Sequence, residues 1–282
     1  MKKMLIAGLT FFTFSVYAQS YLVLHNGVAL TTDTSGYIYD FNHFIVPYKV
    51  QITGGQFLVE DEKLITIDES GFLYRKNIEI KKVKGRGLNY FINDGFLTES
   101  NILHTIDAMG FVYKWNKDAP DFKKANKFGG NYFVVTTDEK KKRADLYTVS
   151  KTGNFTKINI EGLNPFDIVV TNGSYFTANG VLYTVNNEGF VFSQKDFPIR
   201  AFKKMGGNFF VDTSERLMTV SDLGNVLLAE LPFSLQISEL RFFGPNYMID
   251  AEGRIFVVDK AGNIFERHLP DHDLRNIKVY LK

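Results

Sequence analysis

Thr105-Ile106-Asp107-Ala108-Met109-Gly110-Phe111-Val112-Tyr113 is a short apolar run, a polar turn closed by glycine, and a second apolar run. The same phrase recurs at Thr31 to Tyr39 (TTDTSGYIY), Thr66 to Tyr74 (TIDESGFLY) and Thr148 to Thr156 (TVSKTGNFT). It recurs again at Thr184 to Phe192 (TVNNEGFVF), Thr219 to Leu227 (TVSDLGNVL) and Val257 to Phe265 (VVDKAGNIF). The turn glycines are Gly36, Gly71, Gly110, Gly153, Gly189, Gly224 and Gly262, spaced by 35, 39, 43, 36, 35 and 38 residues. A near-fixed period of this size signals a repeat architecture. Three residues before each glycine stands Asp33, Asp68, Asp107, Ser150, Asn186, Ser221 or Asp259. Such side chains accept a bond from a backbone N–H two residues on, and glycine then takes the left-handed position. This is hairpin chemistry. The β-branched Thr or Val five residues before each glycine suits the strand that enters the turn.

A second phrase lies upstream: small residues, often Asn, then an apolar run. Gly54-Gly55-Gln56-Phe57-Leu58-Val59, Gly129-Gly130-Asn131-Tyr132-Phe133-Val134 and Gly206-Gly207-Asn208-Phe209-Phe210-Val211 are the clearest copies. Gly87-Leu88-Asn89-Tyr90-Phe91, Gly173-Ser174-Tyr175-Phe176 and Gly244-Pro245-Asn246-Tyr247-Met248 are looser ones. A further strand-like run precedes it, as in Ile78 to Val83 or Arg200 to Lys204. Each repeat thus predicts about four short strands and no helix. Seven such units predict an all-β, seven-bladed β-propeller.

Residues 1–18 read as a secretory signal peptide: Lys2 and Lys3, an apolar stretch from Met4 to Val16, and a small-residue cleavage site at Ala18. No cysteine follows, which argues against a lipid anchor. The expected mature chain, 19–282, is one domain in the periplasm or secreted. No later segment is long and apolar enough to span a membrane. The sequons at Asn154 and Asn172 matter only in a eukaryotic host.

With Lys2 and Lys3 removed, basic and acidic residues balance, which argues against nucleic acid or an anionic membrane as partner. The basic run Lys140 to Arg143 is flanked by acids and reads as a solvated loop. Without cysteine, the fold must be held by its core. The 27 Phe and 14 Tyr read as filling between sheets, with an exposed aromatic surface for glycans or peptides as the alternative. The final run Asn276 to Lys282 matches a first strand, and Tyr21 to Leu24 a second. The end of the chain is therefore expected to complete the first repeat, and deletion of 276–282 to destabilise the whole protein.

The repeats, Leu146-Tyr147-Thr148-Val149 before Gly153 among them, resemble bacterial seven-bladed propellers of the pyrroloquinoline-quinone-type and YVTN/WD40-like groups. The likeness rests on strand and turn residues, so it implies fold and no chemistry. WD40 Trp-Asp pairs are missing, and a single Trp does not supply the tryptophan docking of quinone-dependent dehydrogenases. The Asp-X-X-Gly turn departs from the Ser-X-Asp-X-Gly of sialidase repeats. A looser similarity is to tachylectin-type sugar-binding propellers.

His25, His43, His104, His268 and His272 are the histidines. His268 and His272, with Asp271 and Asp273, offer a conceivable metal group but read as a polar loop. His104 reads as packing in or between repeats. Asp33, Asp68, Asp107 and Asp259 read as turn caps. No nucleophile elbow, His-Glu-X-X-His or P-loop occurs. No catalytic, metal or cofactor residue is assigned, and no cofactor is expected. Trp115 is singled out for binding, since a lone Trp at a sheet edge can stack on a sugar or a partner side chain. The expected function is a monomeric, non-enzymatic envelope scaffold for a protein partner. A carbohydrate-binding propeller and a hydrolase or lyase with a composite site are the alternatives.

Overall fold

The computed structural model describes residues 21–23, 28–44, 46, 49–53, 55–79, 88–92, 95–98, 102–115, 122–171, 173–197, 199, 201–269 and 271–276. These form an all-β protein with seven separate antiparallel sheets and no α-helix among the described residues. The first sheet has strands Tyr21–Val23, Val28–Thr32 and Ile38–Phe44; each of the other six has four, in chain order. The fourth sheet is representative, with Ala125–Phe128, Tyr132–Asp138, Arg143–Val149 and Phe155–Ile158. Of the terminal run expected to complete the first sheet, Asn276 ends a 3₁₀ turn and residues 277–282 lie outside the described residues, as do residues 1–18, His25 and Asn172.

Every turn glycine of the repeated phrase has a left-handed φ, from +74° at Gly110 to +93° at Gly262. The acidic side chains cap the turns as expected. Asp107 Oδ1 accepts from the N–H groups of Met109 and Phe111 at 3.0 and 2.8 Å, and its Oδ2 from the Tyr113 hydroxyl at 2.9 Å. Asp33 with Tyr39 and Asp68 with Tyr74 repeat the pattern.

The second and third strands are buried along almost their whole length, because both faces of each sheet are covered. Alternate residues serve opposite neighbours. In the fourth sheet Phe133 and Val135 join Leu103 of the third, whereas Tyr132 and Val134 join Phe176 and Ala178 of the fifth. Seven such clusters link consecutive sheets. One of them packs Val28 and Leu30 against Tyr247, Ile249, Ile255 and Val257, so the seventh sheet meets the first. This two-sided cover explains why the strands read as continuous apolar runs.

One assignment differs from the sequence expectation. Leu88–Ile92 is the first strand of its sheet, not the second, which opens at Gly95. Ile78 and Glu79 end the last strand of the previous sheet, Leu73–Glu79. The Lys140 to Arg143 run is the exposed end of the hairpin joining Tyr132–Asp138 to Arg143–Val149.

Candidate functional site

The residue after each turn Asp, Ser or Asn forms a closed cycle. Thr34 N–H donates to Glu69 O, Glu69 to Ala108, Ala108 to Lys151, Lys151 to Asn187, Asn187 to Asp222, Asp222 to Lys260, and Lys260 back to Thr34. The seven distances run from 2.7 to 3.2 Å. Inside this cycle lies a cavity of about 140 Å³ whose lining includes residues of all seven sheets. Its walls are the ends of the third strands, the turns that follow them, and the loops opening the second strands.

Between neighbouring sheets five of the six phrase threonines reach the next turn glycine, while Thr219 Oγ1 is buried without a hydrogen-bond partner. Thr31, Thr66, Thr148 and Thr184 donate Oγ1–H to the carbonyls of Gly71, Gly110, Gly189 and Gly224 at 2.6–2.8 Å, and Thr105 does so to Gly153. In the seventh sheet Val257 has no hydroxyl, and Arg267 Nε donates to Gly36 O at 2.6 Å instead.

The side chains of the cycle bring two acids and two lysines to the cavity mouth: Glu69, Asp222, Lys151 and Lys260. Burial raises Asp222 to about 6 from the ordinary 3.8; the Glu69 charge adds to this, and Lys260 and Lys151 oppose it. Burial likewise raises Glu69. Lys151 is held by Glu188 at 2.9 Å. Asp222 can therefore exchange a proton near neutral pH, but among the described residues no group of three or more His, Asp or Glu is placed to hold a metal.

This sets a pH dependence. The folded chain keeps the Asp222 proton to about pH 6, while an unfolded Asp releases it near 3.8. Folding takes up a proton between these values, so this residue's contribution to stability falls as pH rises through that window. Asp222→Asn is expected to match the parent near pH 4 and to exceed it by roughly 1–2 kcal/mol at pH 7.5. Urea melts in EDTA at both values check this; an equal difference at both pH values refutes it.

Around the cavity the same turns expose aromatic side chains. Tyr37, Phe72 and Phe111, each directly after its turn glycine, are 57, 47 and 54 % exposed on three successive sheets. Cations lie between the rings: Lys76 Nζ is 4.9 Å from the Tyr74 centroid and 5.3 Å from that of Phe111. The Arg267 guanidinium lies 5.1 and 4.9 Å from Tyr37 and Phe265.

Trp115, His104, His268 and His272 lie outside the cavity lining. Trp115 is half-buried; its indole N–H donates to Thr105 Oγ1 at 2.8 Å, and it meets Phe155 edge-on at 5.1 Å. His104 stacks on Phe96 at 4.9 Å, and burial lowers its pKa. His272 meets Asp40 at 3.1 Å, and Asp273 binds the Arg275 guanidinium at 2.8 Å, so the loop makes separate pairs. Neither the cavity acids nor the exposed rings were singled out. Their one sequence signal was position within the repeat, directly after the turn cap or the glycine.

No protein-family model matches the chain, and no curated protein matches it.

Proposed function

We propose that the chain is an exported, non-enzymatic binding module, a closed seven-bladed β-propeller that holds a protein partner on the face carrying its glycine turns. The cyclic run of turn hydrogen bonds and the cluster joining the seventh sheet to the first support the closed ring. Export rests on the leader-like residues 1–18.

The observation that carries the binding reading is the exposed Tyr37, Phe72 and Phe111, with Lys76 against Tyr74 and Phe111 and Arg267 against Tyr37 and Phe265. Aromatic side chains and Arg are enriched where proteins bind each other, since they offer large rigid contact area at low entropic cost. These cations suit a partner presenting carboxylates among apolar side chains. The Trp115 indole, committed to Thr105, supports packing rather than stacking on a ligand.

The test is retention from the envelope fraction of the source organism on immobilised chain, compared with a Tyr37→Ser, Phe72→Ser, Phe111→Ser variant of equal Tm. A stoichiometric protein held by the parent and lost by the variant supports the reading. Retained polysaccharide in its place moves the assignment to glycan binding. Equal retention by both chains rules out this face.

A further inference from the structure

Many of the backbone donors that line the axial cavity are already used. The seven turn N–H groups are spent on the hydrogen-bonded cycle, and those of Gly130, Ser174, Gly207 and Asn208 go to carbonyls of the next sheet. Three side-chain oxygens remain: Gln56 Oε1, Asn131 Oδ1 and Asn208 Oδ1. Each is shut off from bulk solvent with no hydrogen-bond partner, and all three residues line the cavity. They come from the second, fourth and sixth sheets at one repeat position, directly before the buried Phe57, Tyr132 and Phe209.

Asn131 is only 4 % exposed. Its Nδ2 donates to Asn186 O at 3.2 Å, which fixes the other end of the amide as oxygen. A buried oxygen without a partner is costly to leave that way, and three around one cavity invite a shared occupant. An anion entering here meets none of the backbone donors already spent. A cation meets amide oxygens and the carboxylates of Glu69 and Asp222, which offset Lys260 and a Lys151 itself held by Glu188.

We propose that the axial cavity binds one hard, oxygen-seeking cation through Gln56 Oε1, Asn131 Oδ1 and Asn208 Oδ1, with water completing its shell. Neutral, flexible oxygen donors suit Ca²⁺ or a monovalent ion. They suit Mg²⁺ poorly, because it sheds water reluctantly and demands a small octahedral cage. The cavity of about 140 Å³ has room for the ion and several waters.

The full chain, stripped with EDTA and exchanged into choline chloride, is titrated calorimetrically with Ca²⁺, Na⁺, K⁺ and Mg²⁺, with Tm followed in parallel. Expected are one ion per chain and a raised Tm for Ca²⁺ or a monovalent ion, with Mg²⁺ about tenfold weaker or silent. Asn208→Leu is expected to abolish the binding. Asn208→Asp, which adds a charge at the same position, is expected to tighten it about tenfold; a purely structural asparagine gives no such gain. If the Leu variant fails to fold, the Asp variant decides. No response to Ca²⁺, Na⁺ or K⁺, or binding that Asn208→Asp does not tighten, overturns the proposal.

Discussion

Gly173→Ala is expected to lower the free energy of unfolding by about 3–5 kcal/mol, and Tm by about 10 °C. Gly173 precedes the second strand of the fifth sheet, where that sheet meets the sixth beside the cavity. A Cβ here falls 2.1 Å from Gly207 O and 2.8 Å from Gly206 O. These are backbone atoms in a hydrogen-bonded seam: Ser174 N–H donates to Gly207 O at 3.0 Å, and Gly207 N–H to Gly244 O at 3.1 Å. No rotamer change makes room, so the two sheets must part. Parting them opens the cluster of Tyr175 with Phe210 and Met218. The control is Gly162→Ala. Gly162 has φ +77° and nothing within 4 Å of a built Cβ. It should show only the cost of the left-handed backbone, about 1 kcal/mol. Urea melts of both variants separate close approach from conformational strain; equal losses sink the argument.

Much of the fold was legible because the turn chemistry is local. Asp, Ser or Asn three residues before Gly marks a hairpin that all seven copies adopt with a left-handed glycine. Asp33, Asp68, Asp107, Asn186 and Asp259 cap it by accepting from the N–H two residues on, whereas Ser150 donates to Asn154 O instead. The third repeat shows where that reading stops. Its second strand opens Gly95-Phe96, without the Gly-Gly-Asn of its counterparts, while Leu88 to Ile92 is an equally apolar run just upstream. First strands elsewhere are half-exposed, as in Ala125–Phe128 and Phe202–Met205, but Leu88 to Ile92 carries the apolar run of a second strand, so its composition misplaces it. Gly95 occupies the position of Tyr132, since it lies opposite Thr105 as Tyr132 lies opposite Thr148, and a Cβ there falls 2.5 Å from His104 O. Its role is close approach of backbone, which the sequence does not announce.

The site was less legible. Glu69, Lys151, Asp222 and Lys260 are far apart in the chain and meet only because seven turns point at one cavity. Each reads singly as a solvated turn residue. The asparagines before the buried aromatics were visible as a recurrent feature, yet the sequence does not show that Asn131, Asn208 and Asn246 line one cavity. Trp115 drew notice as the single tryptophan, and its N–H supplements the threonine latch between two sheets.

Arg267→Ala is expected to cost roughly 2 kcal/mol, the range for a lost charged hydrogen bond with its aromatic contacts. Val257→Thr is expected to restore most of that loss. The argument rests on the one sheet whose phrase carries no threonine. Where five other sheets show a buried threonine hydroxyl donating to the next turn glycine, the seventh has Val257. Arg267, paired across the sheet with Ile255, fills the vacancy by donating to Gly36 O while lying against Tyr37 and Phe265. Removing it leaves a buried carbonyl unsatisfied at the junction of the last and first sheets. A threonine at 257 brings back the donor five other junctions use, at the cost of one methyl. The four-chain cycle of parent, Arg267→Ala, Val257→Thr and the double variant reads this out in urea melts. A double variant no more stable than Arg267→Ala shows that the arginine holds the junction by its ring contacts alone. A recovery of 1 kcal/mol or more, on the order of one neutral hydrogen bond, shows that Gly36 O needs a donor and accepts either one.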